Sequence, residues 1–215
     1  MNMANGFVDF YIDIKSPYAF LALEPSLNTF AELDLEVNFF PYILDIADYL
    51  GSAKVDNSGK VIEENRSAHQ WRRVRYSYMD CRRIANLTGK TILGTQKIWD
   101  TRLVSHLIIW VKENAKSVSV PLIQYVFERF WKRELDIEEE ETMEMILKEF
   151  NLDYKAFLSW NKKNGKESLD KIMVKALDRG IFGVPTYVYE DEIFWGREHL
   201  STIRGRVTGD YKNVI

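Results

Sequence analysis

The sequence predicts an α/β protein in which a small sheet is built from both ends of the chain and interrupted by a large all-helical insertion. Three observations predict this. An apolar run over residues 7–14 leads straight into Ser16-Pro17-Tyr18, so a strand feeds a helix. Apolar residues across the middle of the chain recur at spacings of three and four, the helical period. Near the C-terminus, Gly183-Val184-Pro185-Thr186 opens a second β-rich run.

Residues 7–14 are dominated by β-branched and aromatic types, as a buried strand is. Ser16 suits an N-cap and Pro17 the first helical position, where the missing N–H costs nothing, so a helix follows over 17–31. Residues 35–40 alternate and stop at Pro41, which reads as a second strand, parallel to the first because a helix connects them. From 46 to 165 the period is helical. Trp71, Val74, Tyr78, Cys81 and Ala85 form one such series, Leu103, Leu107 and Trp110 a second, and Met143, Ile146, Leu147 and Phe150 another. Asp56-Asn57-Ser58-Gly59, Gly89 and residues 161–165 mark loops. A helix over 166–179 ends in a basic turn at Arg179-Gly180, residues 186–195 make a hairpin around Glu190-Asp191-Glu192, and a last helix starts near Glu198. This order is that of a thioredoxin-like fold, residues 1–45 and 166–215, interrupted by a helical domain, residues 46–165.

With 46% hydrophobic and 28% charged residues, the chain has the composition of a folded globular protein. A net charge of −3 provides no global field to recruit nucleic acid or an anionic membrane, and any anion site must be local. No apolar run approaches the roughly 18–20 residues that cross a bilayer, and no basic-then-apolar leader opens the sequence. A cytoplasmic location is therefore expected. Cys81 is the single cysteine, which excludes an internal disulfide, a CxxC redox pair and a cysteine zinc cluster.

Two positions concentrate the chemistry. Ser16 reads either as an ordinary Ser-Pro cap or as a hydroxyl aimed, with the helix N-terminus behind it, at an anion beyond the strand end. Pro185 reads as the first residue of a strand or, if it corresponds to the X-Pro position of thioredoxin-like folds, as the partner of a cis bond that leaves Val184's N–H and C=O free for an extended ligand. The cluster Arg72, Arg73, Arg75, Arg82 and Arg83 reads as the solvated face of an amphipathic helix that offers one or two arginines to a carboxylate. Glu138 to Glu141 is a solvated helix start, and His69, His106 and His199 do not form a metal set. Thr88-Gly89-Lys90-Thr91 lacks the first glycine of a phosphate loop, because Ile84 stands there.

The stretches 8–22 (Val8 through Ser16-Pro17-Tyr18 to Ala22), 76–85 and 179–186, together with Phe194-Trp195-Gly196, resemble 2-hydroxychromene-2-carboxylate isomerases and the related kappa-class glutathione transferases, within the wider DsbA-like group. The resemblance implies glutathione as cofactor, with Ser16 and Pro17 at its sulfur and Val184 pairing with the cysteinyl backbone beside a cis Pro185. It implies further that Asn65 and Arg73 of the insertion face the ligand, and that the loop of Arg197 and Glu198 holds the γ-glutamyl end. A lysine usual in the family is Arg73 here, and an aspartate is Glu198; charge is kept and reach changes. The implied activity is glutathione-dependent isomerisation of an anionic, aromatic-derived small molecule by a homodimer. A glutathione transferase or peroxidase would share these parts, and a non-catalytic binding module would keep only the ligand site. Thiol-disulfide exchange by the chain's own cysteines is disfavoured, since Ser16 stands where DsbA-like enzymes carry their first cysteine.

Overall fold

Strand β1 (Phe7–Ile12) is buried from Val8 onward because it is an interior strand of a four-stranded sheet, ordered β2-β1-β5-β6. The structure is a computed structural model that describes residues 6–56 and 58–212. β2 (Glu36–Pro41) runs parallel to β1 across helix α1 (Pro17–Glu32), with Phe10 opposite Phe39. β5 (Thr186–Tyr189) is antiparallel to β1, with Tyr11 opposite Thr186, and β6 (Glu192–Trp195) closes the hairpin. Its two-residue turn places Glu190 and Asp191 both at positive φ, the geometry that matches the twist of the flanking strands.

β1 stops two residues short of the apolar run. Asp13 turns the chain: its carboxylate accepts from the Leu44 and Lys15 amides at 2.8 and 3.2 Å, and its carbonyl accepts from Ser16 N at 2.9 Å. Those bonds replace ladder pairing, and α1 begins immediately afterwards.

The insertion holds α2 (Ile46–Leu50), α3 (Ala68–Leu87), α4 (Arg102–Asn114), α5 (Ser119–Trp131), α6 (Glu140–Glu149) and α7 (Tyr154–Trp160). It also contains a two-stranded hairpin, β3 (Ser52–Val55) with β4 (Val61–Asn65), which the expectation of an all-helical insertion omits. All of β4 is exposed and β3 alternates exposed with half-buried positions over only four residues, so the hairpin carries too short an apolar pattern for its sequence to announce it. The Asp56 carboxylate organises the turn by accepting from the Ser58 and Lys60 amides; Asn57 lies outside the described residues. A π-helical turn over 161–165 joins α7 to α8 (Lys166–Asp178), and α9 (Leu200–Thr208) follows the last strand.

Side chains from both sections merge into one hydrophobic core. Phe20 of α1 stacks on Phe127 of α5 with ring centroids 5.7 Å apart, and both are buried. Truncating such a buried aromatic costs roughly 3–5 kcal/mol, so the insertion is anchored to the sheet half by core packing. Ser26, in the middle of α1, shares a 2.7 Å hydrogen bond with Tyr187 of β5, which ties the helix to the strand that follows Val184-Pro185.

Candidate active site

Ser16 caps α1. Its backbone is extended, and its Oγ accepts from the Ala19 amide at 3.2 Å while Pro17 fills the first helical position. The lone pair is thus engaged, and the hydroxyl hydrogen has no acceptor among the described residues. It opens on a cavity of about 1170 Å³ between the end of the sheet and the insertion.

Seven of the eight residues that the resemblance implies at the ligand line this cavity: Ser16, Pro17, Arg73, Val184, Pro185, Arg197 and Glu198. Asn65 does not. It ends the exposed strand β4, and its neighbour Arg66 lines the cavity instead, because the hairpin presents its inner edge through Ala53 and Val55. Of the arginine cluster, Arg73, Arg75 and Arg82 face the cavity, whereas Arg83 turns to Asp80 at 3.0 Å.

The Val184–Pro185 bond is cis. On either side the backbone is engaged: Gly183 O accepts from Thr186 Oγ1 at 2.7 Å, and Pro185 O from Gly196 N at 2.9 Å. Val184 itself is buried, yet its N–H and C=O make no hydrogen bond among the described residues. A buried donor and acceptor left open beside a cavity is the feature an extended ligand backbone can complete.

Two glycines shape this corner. Gly183 packs under Trp195, where an added Cβ would come within 2.8 Å of the indole nitrogen. At Gly196, φ is +103°, and the Glu198 carboxylate folds back so closely that a Cβ would meet both oxygens at 2.4 Å. Glu198 forms no salt bridge among the described residues and remains available to a cationic group.

Beneath Ser16 lies a buried pair that the sequence reading missed. Lys15 Nζ is 3.4 Å from Asp13 Oδ2 and 3.4 Å from Thr101 Oγ1, with both charged side chains almost fully buried. Burial pushes the Asp13 carboxyl up, partly offset by the Lys15 charge and by the bonds it accepts. The available signal was two opposite charges two residues apart at the end of an otherwise apolar strand.

Arg66, Arg73, Arg75, Arg82 and Arg197 line the cavity without a salt-bridge partner among the described residues. Aromatic rings line it as well, including Trp71, Tyr78 and Trp99. Cys81 does not line it; the side chain is fully buried on α3, and burial pushes its thiol up to about 12. Tyr18 donates to Asp80 Oδ2 at 3.3 Å, and burial raises its hydroxyl too. Among the described residues no cluster of His, Cys, Asp and Glu is arranged to hold a metal, and no helix is long and apolar enough to cross a membrane. The arrangement can stabilise an anion at Ser16, pair with a ligand backbone at Val184 and bind several carboxylates.

Comparison with known proteins agrees with this architecture. A 2-hydroxychromene-2-carboxylate isomerase of Pseudomonas putida is 24% identical over 195 residues, covering 90% of each chain. The solved structure of a 2-hydroxychromene-2-carboxylate isomerase superposes with a TM-score of 0.71 at 22% identity, covering 93% of each chain. A cytosolic disulfide reductase, DsbM of Pseudomonas aeruginosa, solved with GSH, superposes at 0.59 with 14% identity, covering 87% of this chain and 88% of the other. The model of the DSBA-like thioredoxin domain matches residues 7–208, and the chain belongs to this DsbA-like family.

Proposed function

We propose that this chain is a glutathione-dependent isomerase acting on conjugated acids of the 2-hydroxychromene-2-carboxylate type. Ser16 carries the reading: a capping hydroxyl with its hydrogen uncommitted, at a helix N-terminus, on the cavity that also holds Val184's open backbone. The groups present fit glutathione along its length. The Ser16 hydroxyl and the α1 N-terminus favour an ionised sulfur. Val184's N–H and C=O complement a cysteinyl C=O and N–H. Glu198 suits the γ-glutamyl ammonium, and Arg73 and Arg197 suit the two carboxylates.

When bound, glutathione supplies a thiolate that adds to a conjugated double bond and later leaves, so that the intervening single bond can rotate. The chain's own work is positional and electrostatic. Ser16 holds negative charge at one point, Val184 keeps the ligand backbone extended, and the arginines fix the carboxylates, so the second substrate meets a sulfur already oriented. The buried Asp13–Lys15 pair holds the turn that aims Ser16. Cys81, buried and not among the residues that line the cavity, offers no support to a disulfide-exchange reading.

The test follows the ultraviolet spectrum of 2-hydroxychromene-2-carboxylate with the protein, adding or omitting glutathione. Turnover that requires glutathione and consumes none supports the reading. Release of a glutathione adduct would assign a transferase, and no turnover by a protein that binds glutathione would leave a binding module.

A further inference from the structure

Arg66, Arg75 and Arg82 have no role in the glutathione reading just given, on which the following rests. From them we infer that the preferred second substrate is a dianion, a conjugated aromatic acid of the proposed type that carries a second carboxylate, with both acid groups meeting these guanidiniums.

The acids of the cavity do not neutralise its arginines. Asp80 is already held by Arg83 and Tyr18, and Glu198 is set against the ammonium of glutathione. Ser16 takes the sulfur, while Arg73 and Arg197 take the two carboxylates. Three guanidiniums then remain, more than a single carboxylate offsets, in a chain whose net charge is −3. The concentration of cations is therefore local to this wall.

These arginines are also prepared for recognition. Arg75, Tyr78 and Arg82 follow at intervals of three and four on α3, one turn after Trp71, so they share a face. Arg66 lies over the Trp71 ring at 4.9 Å and Arg82 over the Tyr78 ring at 5.5 Å. Each donates Nε to a backbone carbonyl at 3.3 Å, Arg66 to Gly51 and Arg82 to Ile92. Stacking and the Nε bond orient each guanidinium and leave its terminal N–H groups for a carboxylate. A cavity of about 1170 Å³ exceeds the usual pocket of about 300–1000 Å³, leaving room for an aromatic ring beside glutathione.

The experiment titrates the full chain calorimetrically with cinnamate and with 4-carboxycinnamate, each with and without glutathione present. The dicarboxylate is expected to bind at least about tenfold more tightly, as one further charge-assisted pair implies. Arg75→Gln and Arg82→Gln should each shrink that ratio to about threefold or less while glutathione affinity stays within about twofold. Arg75, which makes no side-chain hydrogen bond among the described residues, guards against a folding effect from losing the Arg82–Ile92 contact. Equal affinity for the two acids, or a ratio unchanged in both variants, overturns the inference. Glutathione that fails to bind while the dicarboxylate preference persists overturns the glutathione reading and leaves the dianion preference supported.

Discussion

Replacing Ser16 with alanine removes two hydrogen bonds, and the two losses are read by different assays. The Ala19 amide loses its cap, now 3.2 Å from Oγ, which should lower stability by about 1 kcal/mol. A bound thiolate loses its hydroxyl donor. Ser16 is only 3% exposed, so little water can replace the hydroxyl once a ligand fills the cavity. A hydrogen bond to a charged group is worth about 1.5–3 kcal/mol, so the thiol pKa of bound glutathione should rise by about 1–2 units. The assay is the thiolate's ultraviolet absorbance in the protein–glutathione complex, followed against pH, with thermal unfolding measured in parallel. Ser16→Thr, which keeps the hydroxyl, should recover most of both effects. A folded Ser16→Ala protein that binds glutathione with an unshifted thiol would refute the reasoning and leave the helix N-terminus alone holding the sulfur.

Gly196→Ala drives a Cβ into the Glu198 carboxylate at a φ of +103°, so glutathione affinity should fall several-fold and stability by about 1 kcal/mol or more; titration and thermal melts check it, and unchanged affinity would remove Glu198 from the site. Cys81, buried with its thiol pushed up to about 12, should resist a disulfide reagent in the native protein at neutral pH and react only on unfolding; rapid native labelling contradicts this. Lys112 donates to Phe39 O at 3.0 Å beside the Phe40 ring, and burial lowers its pKa to about 8 from 10.5. Between those values the unfolded chain keeps this proton and the folded chain sheds it, so stability rises with pH. Urea unfolding at about pH 7 and about pH 10 should accordingly favour wild type over Lys112→Met more at the higher pH, and a constant difference contradicts the assignment.

The sheet and its capping residues were legible because their signals are local. An apolar run before Ser16-Pro17 can only be a strand meeting a helix, and Gly180 and the Glu190-Asp191 turn punctuate the C-terminal half where the structure breaks it. The β3–β4 hairpin was invisible, since β4 is exposed throughout and the alternation of β3 spans only four residues. Asn65 was placed from the resemblance along the chain, but a strand alternates its faces, and the hairpin brings Arg66 to the cavity instead. The Asp13–Lys15 pair left a trace in the sequence as opposite charges two residues apart, but its contact with Thr101 joins residues 86 positions apart, and no pattern along the sequence carries that. Likewise, the arginines of α3 read as a solvated face offering one or two guanidiniums to a carboxylate; the rings beside Arg66 and Arg82 are near them in sequence, but the Gly51 and Ile92 carbonyls that orient them are brought there by the fold.

The proposed function depends on a sulfur held as thiolate at Ser16. Its most direct measurement is a calorimetric titration of the protein with reduced glutathione and, in parallel, with S-methylglutathione, which has no ionisable thiol. Saturable binding of glutathione in the millimolar range or tighter is expected, with the free thiol clearly preferred and a proton released on binding at neutral pH. Equal affinity for the two ligands, or no binding of either by folded protein, would contradict it.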